Sequence, residues 1–238
     1  MICRMNCVPQ NPVKGSTMSR KMKLNTSKAR VSKIRKILKT TYPHAKTKLR
    51  YDTPFELLVA TILSAQCTDK QVNGVTGDLF EKLKTPDDFA SAPNETIEAL
   101  IRPTGYFRNK AKNIKNCSKS LMEKYNSQVP QNLGDLIKLP GVGRKTANVV
   151  LGSAFNIPGI VVDTHVARIS KRLGLTGNNN PVKIEHDLMD VIPKKEWSDF
   201  SIQLIYFGRA ICKARKPECP ICPLYDLCDS SDKIAKPA

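Results

Sequence analysis

The stretch Leu139-Pro-Gly-Val-Gly-Arg-Lys-Thr-Ala-Asn-Val-Val150 joins two helical patterns through a turn with two glycines. Residues 132–139 read as one short helix that Pro140 stops, and residues 145–154 read as a second. Gly141 and Gly143 are expected to supply the positive φ of a tight turn, and without a Cβ they let an anion approach the backbone amides. The second helix adds its unpaired N–H groups and the positive end of its dipole. The motif is a helix-hairpin-helix, an anion cradle suited to phosphate. Within it Lys145 is oddly placed, because a cation in the first turn of a helix opposes the dipole. One reading makes Arg144 and Lys145 phosphate contacts. The other lets the dipole favour the neutral amine of Lys145, which then attacks a carbon. The hairpin alone favours the first reading.

A second stretch, Val161-Val-Asp-Thr-His-Val-Ala-Arg168, shifts that balance. Asp163 ends a β-prone run and opens a helix, so its plain role is an N-cap. Reach makes a further role available. A helix of about ten residues is only ~15 Å long, and the extended segment 157–162 spans up to ~20 Å, enough to return Asp163 to Lys145. An amine beside a carboxylate is a nucleophile with a base and a charge stabiliser. Near the C-terminus stands Cys212-x6-Cys219-x2-Cys222-x5-Cys228. Four thiolates so close in sequence converge on one centre, and without a secretion signal they point to metal rather than disulfides. On spacing alone zinc and an iron-sulfur cluster are even, since both accept four thiolates.

LPGVGRKTANVV, then VDTHVAR, then the four-cysteine run resembles the endonuclease III family of bacterial DNA glycosylases with abasic-site lyase activity, over residues 27–228. The resemblance implies Lys145 as nucleophile and Asp163 as its partner. It assigns the cysteines to a [4Fe-4S] cluster, through the 6-2-5 spacing. It also gives Gln66, in Ser-Ala-Gln, the task of filling the hole left by a flipped nucleotide. The residue after Gly105 becomes a wedge in the duplex. The family commonly has an aliphatic side chain there, and Tyr106 departs from it.

The formal charge is +18, and residues 1–50 supply +14 of it through fourteen Lys or Arg with no Asp or Glu. Such an arm reads as a solvated tail that also contacts nucleic acid. Met18 is an alternative start. No apolar run approaches the length of a membrane span, the best being 57–65, and the first residues lack the h-region of a secretion signal. The chain therefore reads as cytoplasmic, with the bacterial nucleoid as its place. Cys3, Cys7, Cys67 and Cys117 read as free thiols.

Amphipathic or capped helices follow one another at 27–40, 55–65, from Thr68, from Thr85, at 95–101, 109–125, from Asp163 to Leu173, from Pro181 and at 197–210, with strands nearly absent. His165 has no partner spacing for a metal and reads as a positioning residue facing DNA; His44 and His186 read as surface. Lys213, Arg215 and Lys216, inside the first cysteine gap, read as phosphate contacts. The expected fold is all-α and two-lobed, the helix-hairpin-helix DNA glycosylase fold with a C-terminal iron-sulfur loop. Its parts are a basic arm over 1–26, a helical domain over 49–156 containing the hairpin, a second lobe from 27–48 plus 157–228, and a disordered tail over 229–238.

The expected partner is double-stranded DNA with a damaged base or abasic site, bound by a monomer without a membrane. The damaged base leaves the stack, because C1′ is out of reach inside it. Lys145 attacks C1′, a Schiff base forms, and β-elimination cuts 3′ to the lesion. The resemblance implies oxidised pyrimidines as substrates. Two alternatives stand: an adenine glycosylase of the same superfamily, which lacks the lysine and carries an extra C-terminal domain, and a non-catalytic helix-hairpin-helix module with a structural metal.

Overall fold

The computed structural model describes residues 24–235. Met18, Cys3, Cys7 and nearly all of the basic arm fall outside them. Among the described residues the chain is helical throughout: α1 (Lys28–Thr41), α2 (Pro54–Leu63), α3 (Asp69–Lys82), α4 (Pro86–Ser91), α5 (Asn94–Ile101), α6 (Phe107–Tyr125), α7 (Leu133–Leu136), α8 (Arg144–Ala154), α9 (Thr164–Arg172), α10 (Pro181–Val191) and α11 (Trp197–Ala210). Short 3₁₀ turns stand at Arg102–Thr104, Lys194–Glu196, Cys219–Ile221 and Tyr225–Leu227. The helix starts follow from local chemistry. Thr53, Thr68, Thr85, Asn132, Asp163 and Asn180 each accept backbone N–H bonds with their side chains, a cap worth about 1 kcal/mol.

The apolar side chains gather in two clusters. The first is built on α2, whose Leu57, Leu58, Ala60 and Leu63 are fully buried among residues of α3, α6 and α8. Burial on all sides is what a uniformly apolar helix requires. The second cluster joins Val31, Ile34 and Leu38 of α1 to Val166 and Ile169 of α9, Ile184 and Leu188 of α10, and Phe200, Leu204 and Phe207 of α11. From Val31 the described chain thus lies in the second cluster, builds the first between Leu49 and Leu151, and returns to the second at Ile160.

Polar contacts join the clusters. Asn148 of α8 donates to the Ile160 carbonyl at 2.8 Å and to Glu185 Oε1 at 3.1 Å. Glycine is required at Gly159, where a Cβ would lie 2.7 Å from Asn148 Oδ1. Tyr206 of α11 donates to the Lys46 carbonyl, and Arg209 pairs with Asp69 at 3.0 Å.

Three expectations change. Helix α6 starts at Phe107 rather than 109, and the first hairpin helix ends at Leu136 rather than 139. The tail expected to be disordered is held over its described part: Asp232 pairs with Arg172, and Lys233 donates to the Cys228 carbonyl and sits 3.8 Å from the Tyr225 ring centroid. Its charged side chains find partners beside the cysteines, which sequence spacing does not reveal.

Candidate functional site

Leu139 and Val142, 3% and 6% exposed, pin the turn between α7 and α8 to the first cluster. Gly141 has φ +77° and a Cβ there would meet Asn113 Cβ at 2.8 Å. Only glycine fits. Gly143 corrects the sequence reading: its φ is −88°, with nothing within 4 Å of a built Cβ. Its missing side chain leaves open space above the backbone, and as N-cap it supplies no side-chain acceptor to the first amides of α8. Those amides are available to an external anion. Arg144 differs from expectation as well. Its Nε and Nη2 donate to Glu185 at 2.5 and 3.1 Å, and Glu185 is 2% exposed. Desolvation of a buried carboxylate demands such a partner, so the guanidinium joins α8 to α10.

Lys145, next along, is exposed in the first turn of α8 and has no ion-pair partner among the described residues. Asp163 is half-buried at the N-cap of α9, where Oδ1 accepts from His165 N at 2.8 Å and Val166 N at 2.9 Å. Both cap bonds use one oxygen, so Oδ2 is left without a partner among the described residues. Lys145 and Asp163 line one cleft between the two clusters, with Thr61 and Ser64 of the first lobe and Ser198 and Tyr206 of the second. Asp69 and Arg209 line the same cleft. Sequence reading missed this pair, although a carboxylate three residues after Gln66 was a signal; its partner lies 140 residues on.

His165 borders the outer part of the cleft with Lys145 and Asp163, but its ring is engaged inside the protein. Nδ1 lies 3.1 Å from Arg168 Nη2, and the ring packs so closely on Gly208 that a Cβ there would come within 2.6 Å. Burial pushes the imidazole pKa below its usual value, against the opposing pull of Asp163. Gln66 and Tyr106 are exposed, with φ +52° and +48°. Tyr106 is 66% exposed, whereas its neighbour Phe107 packs against the first cluster with Arg102 and Arg108 at 5.5 and 5.6 Å from its ring centroid.

Cys212, Cys219, Cys222 and Cys228 line one cavity, walled by Ile169, Leu173, Phe207 and Leu224. Among the described residues no three His, Cys, Asp or Glu side chains are arranged to hold a single metal ion. Four thiols lining one cavity are a donor set that either a zinc ion or an iron-sulfur cluster accepts. Burial pushes the Cys222 thiol up to about 11, with the neighbouring cysteines adding to it, so a positively charged centre is what this donor set calls for. Arg172 Nη1 lies 3.3 Å from Cys212 Sγ and donates to the Lys213 carbonyl at 2.7 Å. Of the basic trio, Lys213 pairs with Glu218 at 2.9 Å, while Arg215 and Lys216 are exposed.

Residues 59–194 match the family described as HhH-GPD superfamily base excision DNA repair protein, and residues 212–228 match the iron-sulfur binding domain of endonuclease III. The chain is 52% identical to endonuclease III of Synechocystis over 88% of this chain and 96% of that protein. It belongs to the endonuclease III family. Endonuclease III of Bacillus subtilis is 50% identical, over 82% of this chain and 90% of the relative. A solved structure of a trapped endonuclease III-DNA covalent intermediate superposes with a TM-score of 0.82 and 48% identity, over 85% of this chain and 96% of the other. The fold is the helix-hairpin-helix glycosylase fold, and the cofactor of the family's cysteine loop is a [4Fe-4S] cluster.

Proposed function

We propose that Lys145 and Asp163 are the catalytic pair of a DNA N-glycosylase with abasic-site lyase activity, acting on oxidised pyrimidines in double-stranded DNA. The carrying observation is that an exposed lysine and a carboxylate with one uncommitted oxygen, neither ion-paired among the described residues, line a single cleft. The damaged nucleotide swings out of the duplex into the cleft. Lys145 Nζ gives up a proton and bonds to C1′, and the C1′–N bond to the base breaks with its electron pair leaving on the base. Asp163 Oδ2 takes the amine proton or faces the cationic sugar. Opening of the sugar ring leaves a Schiff base between Nζ and C1′. Loss of a C2′ proton then expels the 3′ phosphate.

Gln66 fills the gap in the stack, and Tyr106 wedges beside it. The hairpin amides at Gly141 and Gly143, with Arg215 and Lys216, hold backbone phosphates. The four cysteines hold the [4Fe-4S] cluster, which fixes the loop and supplies no chemistry at C1′. The protein works as a monomer.

Borohydride trapping on an abasic duplex tests the assignment. Wild type forms a covalent adduct, and Lys145→Ala forms none, with strand cleavage down on the order of 10³-fold or more. An adduct of equal yield from Lys145→Ala removes the lysine from this role.

A further inference from the structure

One buried lysine is unused by this mechanism. Lys110, in the first turn of α6, is 4% exposed, and its Nζ donates to the Thr104 carbonyl at 2.8 Å. Thr104, 2% exposed, directly precedes Gly105 and Tyr106, which turn the chain with φ +68° and +48°. The turn that carries Gln66, also left-handed, joins α2 to α3. Helix α3 packs against the 3₁₀ turn Arg102–Thr104 and α2 packs against α6. The elements flanking one turn therefore abut those flanking the other. Cys67, next to Gln66, is half-buried against the same cluster as Phe107 and lies within electrostatic reach of the Lys110 ammonium.

A cation is costly at this place for two reasons. Burial strips its water, and the N-terminal end of α6 repels it. A methionine would fill the volume at neither cost. Thr104 Oγ1 donates to the Ile101 carbonyl at 2.8 Å and Gly105 N to the Arg102 carbonyl, which tie the turn to the helix before it. Tyr106, in the cap position of α6, makes no side-chain cap bond, and the Lys110 ammonium on the Thr104 carbonyl ties the turn to the helix after it.

We propose that Lys110 is a positioning residue that sets the separation between Gln66 and Tyr106, and with it the geometry in which the lesion strand is opened. The proposal rests on the reading that these two side chains enter the duplex. Lys110 itself stays beneath the surface and touches no DNA.

The test compares a substrate that must be opened with one that needs no opening. The first is a duplex carrying one 5-hydroxyuracil; the second is a single-stranded oligonucleotide with an abasic site, trapped by borohydride. Lys110→Met is expected to lower kcat/KM on the duplex at least about tenfold, as a misplacement of about 1 Å does, and to lower the trapping rate on the single strand no more than about twofold. Tyr106→Ala, at an exposed position, lowers duplex activity by itself, and adding Lys110→Met to it costs nothing more.

Equal losses on both substrates, or multiplying losses in the double variant, overturn the proposal by assigning Lys110 a general structural role. If Lys110→Met does not fold, Lys110→Gln must meet the same two criteria. A Tyr106→Ala variant with full duplex activity removes the wedge reading and this proposal together. A wild type that forms no adduct with either DNA overturns the proposed function itself, a result separate from failure at Lys110 alone.

Discussion

The hairpin between α7 and α8 and the cysteine loop 212–228 both offer positive charge or dipoles to a polyanion, and they are built in opposite ways. The hairpin is held by its own apolar residues, Leu136, Leu139, Val142 and Ala147, all buried in the first cluster. The loop has one buried apolar side chain, Leu224, and only two three-residue 3₁₀ turns. Its short turns close on their own carbonyls, but the two ends of the loop are held from elsewhere. Arg168 donates to Cys212 O, Arg172 to Lys213 O and Ala214 O, and Arg30 to Leu227 O. Neighbours in sequence specify the hairpin, whereas a metal centre and donors far along the chain specify the loop.

The comparison breaks most visibly if the loop survives without its cluster. Cys212→Ser is expected to bleach the visible absorbance and lower Tm by about 10 °C, the shift produced by a loss of about 3 kcal/mol in a chain of this size. Near-ultraviolet circular dichroism should register the change around Trp197 and Tyr225 rather than in the first cluster. An unshifted Tm would show that the arginines suffice.

Next in size is Glu185→Ala, which strands Arg144 at a partly buried site. The expected cost is about 2 kcal/mol in urea unfolding, below the range for removing one member of a fully buried pair because the guanidinium is part-exposed. Glu185→Gln should recover part of it. No change would mean that the hairpin needs no tie to α10.

The two hairpin glycines sharpen the comparison further. Gly141→Ala should cost about 1–2 kcal/mol of stability, through a left-handed backbone and overlap with Asn113. Gly143→Ala should leave stability within about 0.5 kcal/mol, since its backbone is ordinary and its surroundings open, and should weaken DNA binding by its intrusion on the approaching phosphate. Parallel melting and fluorescence-anisotropy titrations separate the two effects. Smallest is the effect at the loop surface. Arg215→Ala and Lys216→Ala should each reduce the slope of log K against log salt by about 1 with no loss of Tm. An unchanged slope would take these side chains off the phosphate-binding surface.

Much of this architecture was legible locally. The bounds of α11 follow from the spacing of Phe200, Leu204 and Phe207, and the starts of α2, α3 and α4 from threonines three residues before Glu56, Gln71 and Asp88. Asp163 read as an N-cap and is one. The misreadings share a cause. Arg144 looked free to contact phosphate because Glu185 is 41 residues away. The tail looked unanchored because Asp232 meets Arg172 only after folding.

The sequence by itself determined the helix caps, the apolar helix faces, the left-handed turn at Gly141 and the four-thiol run, because caps, faces and turns rest on residues a few positions apart and the cysteines fall within seventeen residues. Only the tertiary structure decided which charges are paired and which stay available. Arg144 was taken by Glu185 and Lys110 by a carbonyl, while Lys145 was left exposed in the cleft with Asp163. The physical reason is that burial sets the cost of leaving a charge unpaired, and burial is a property of the packed helices rather than of any single one.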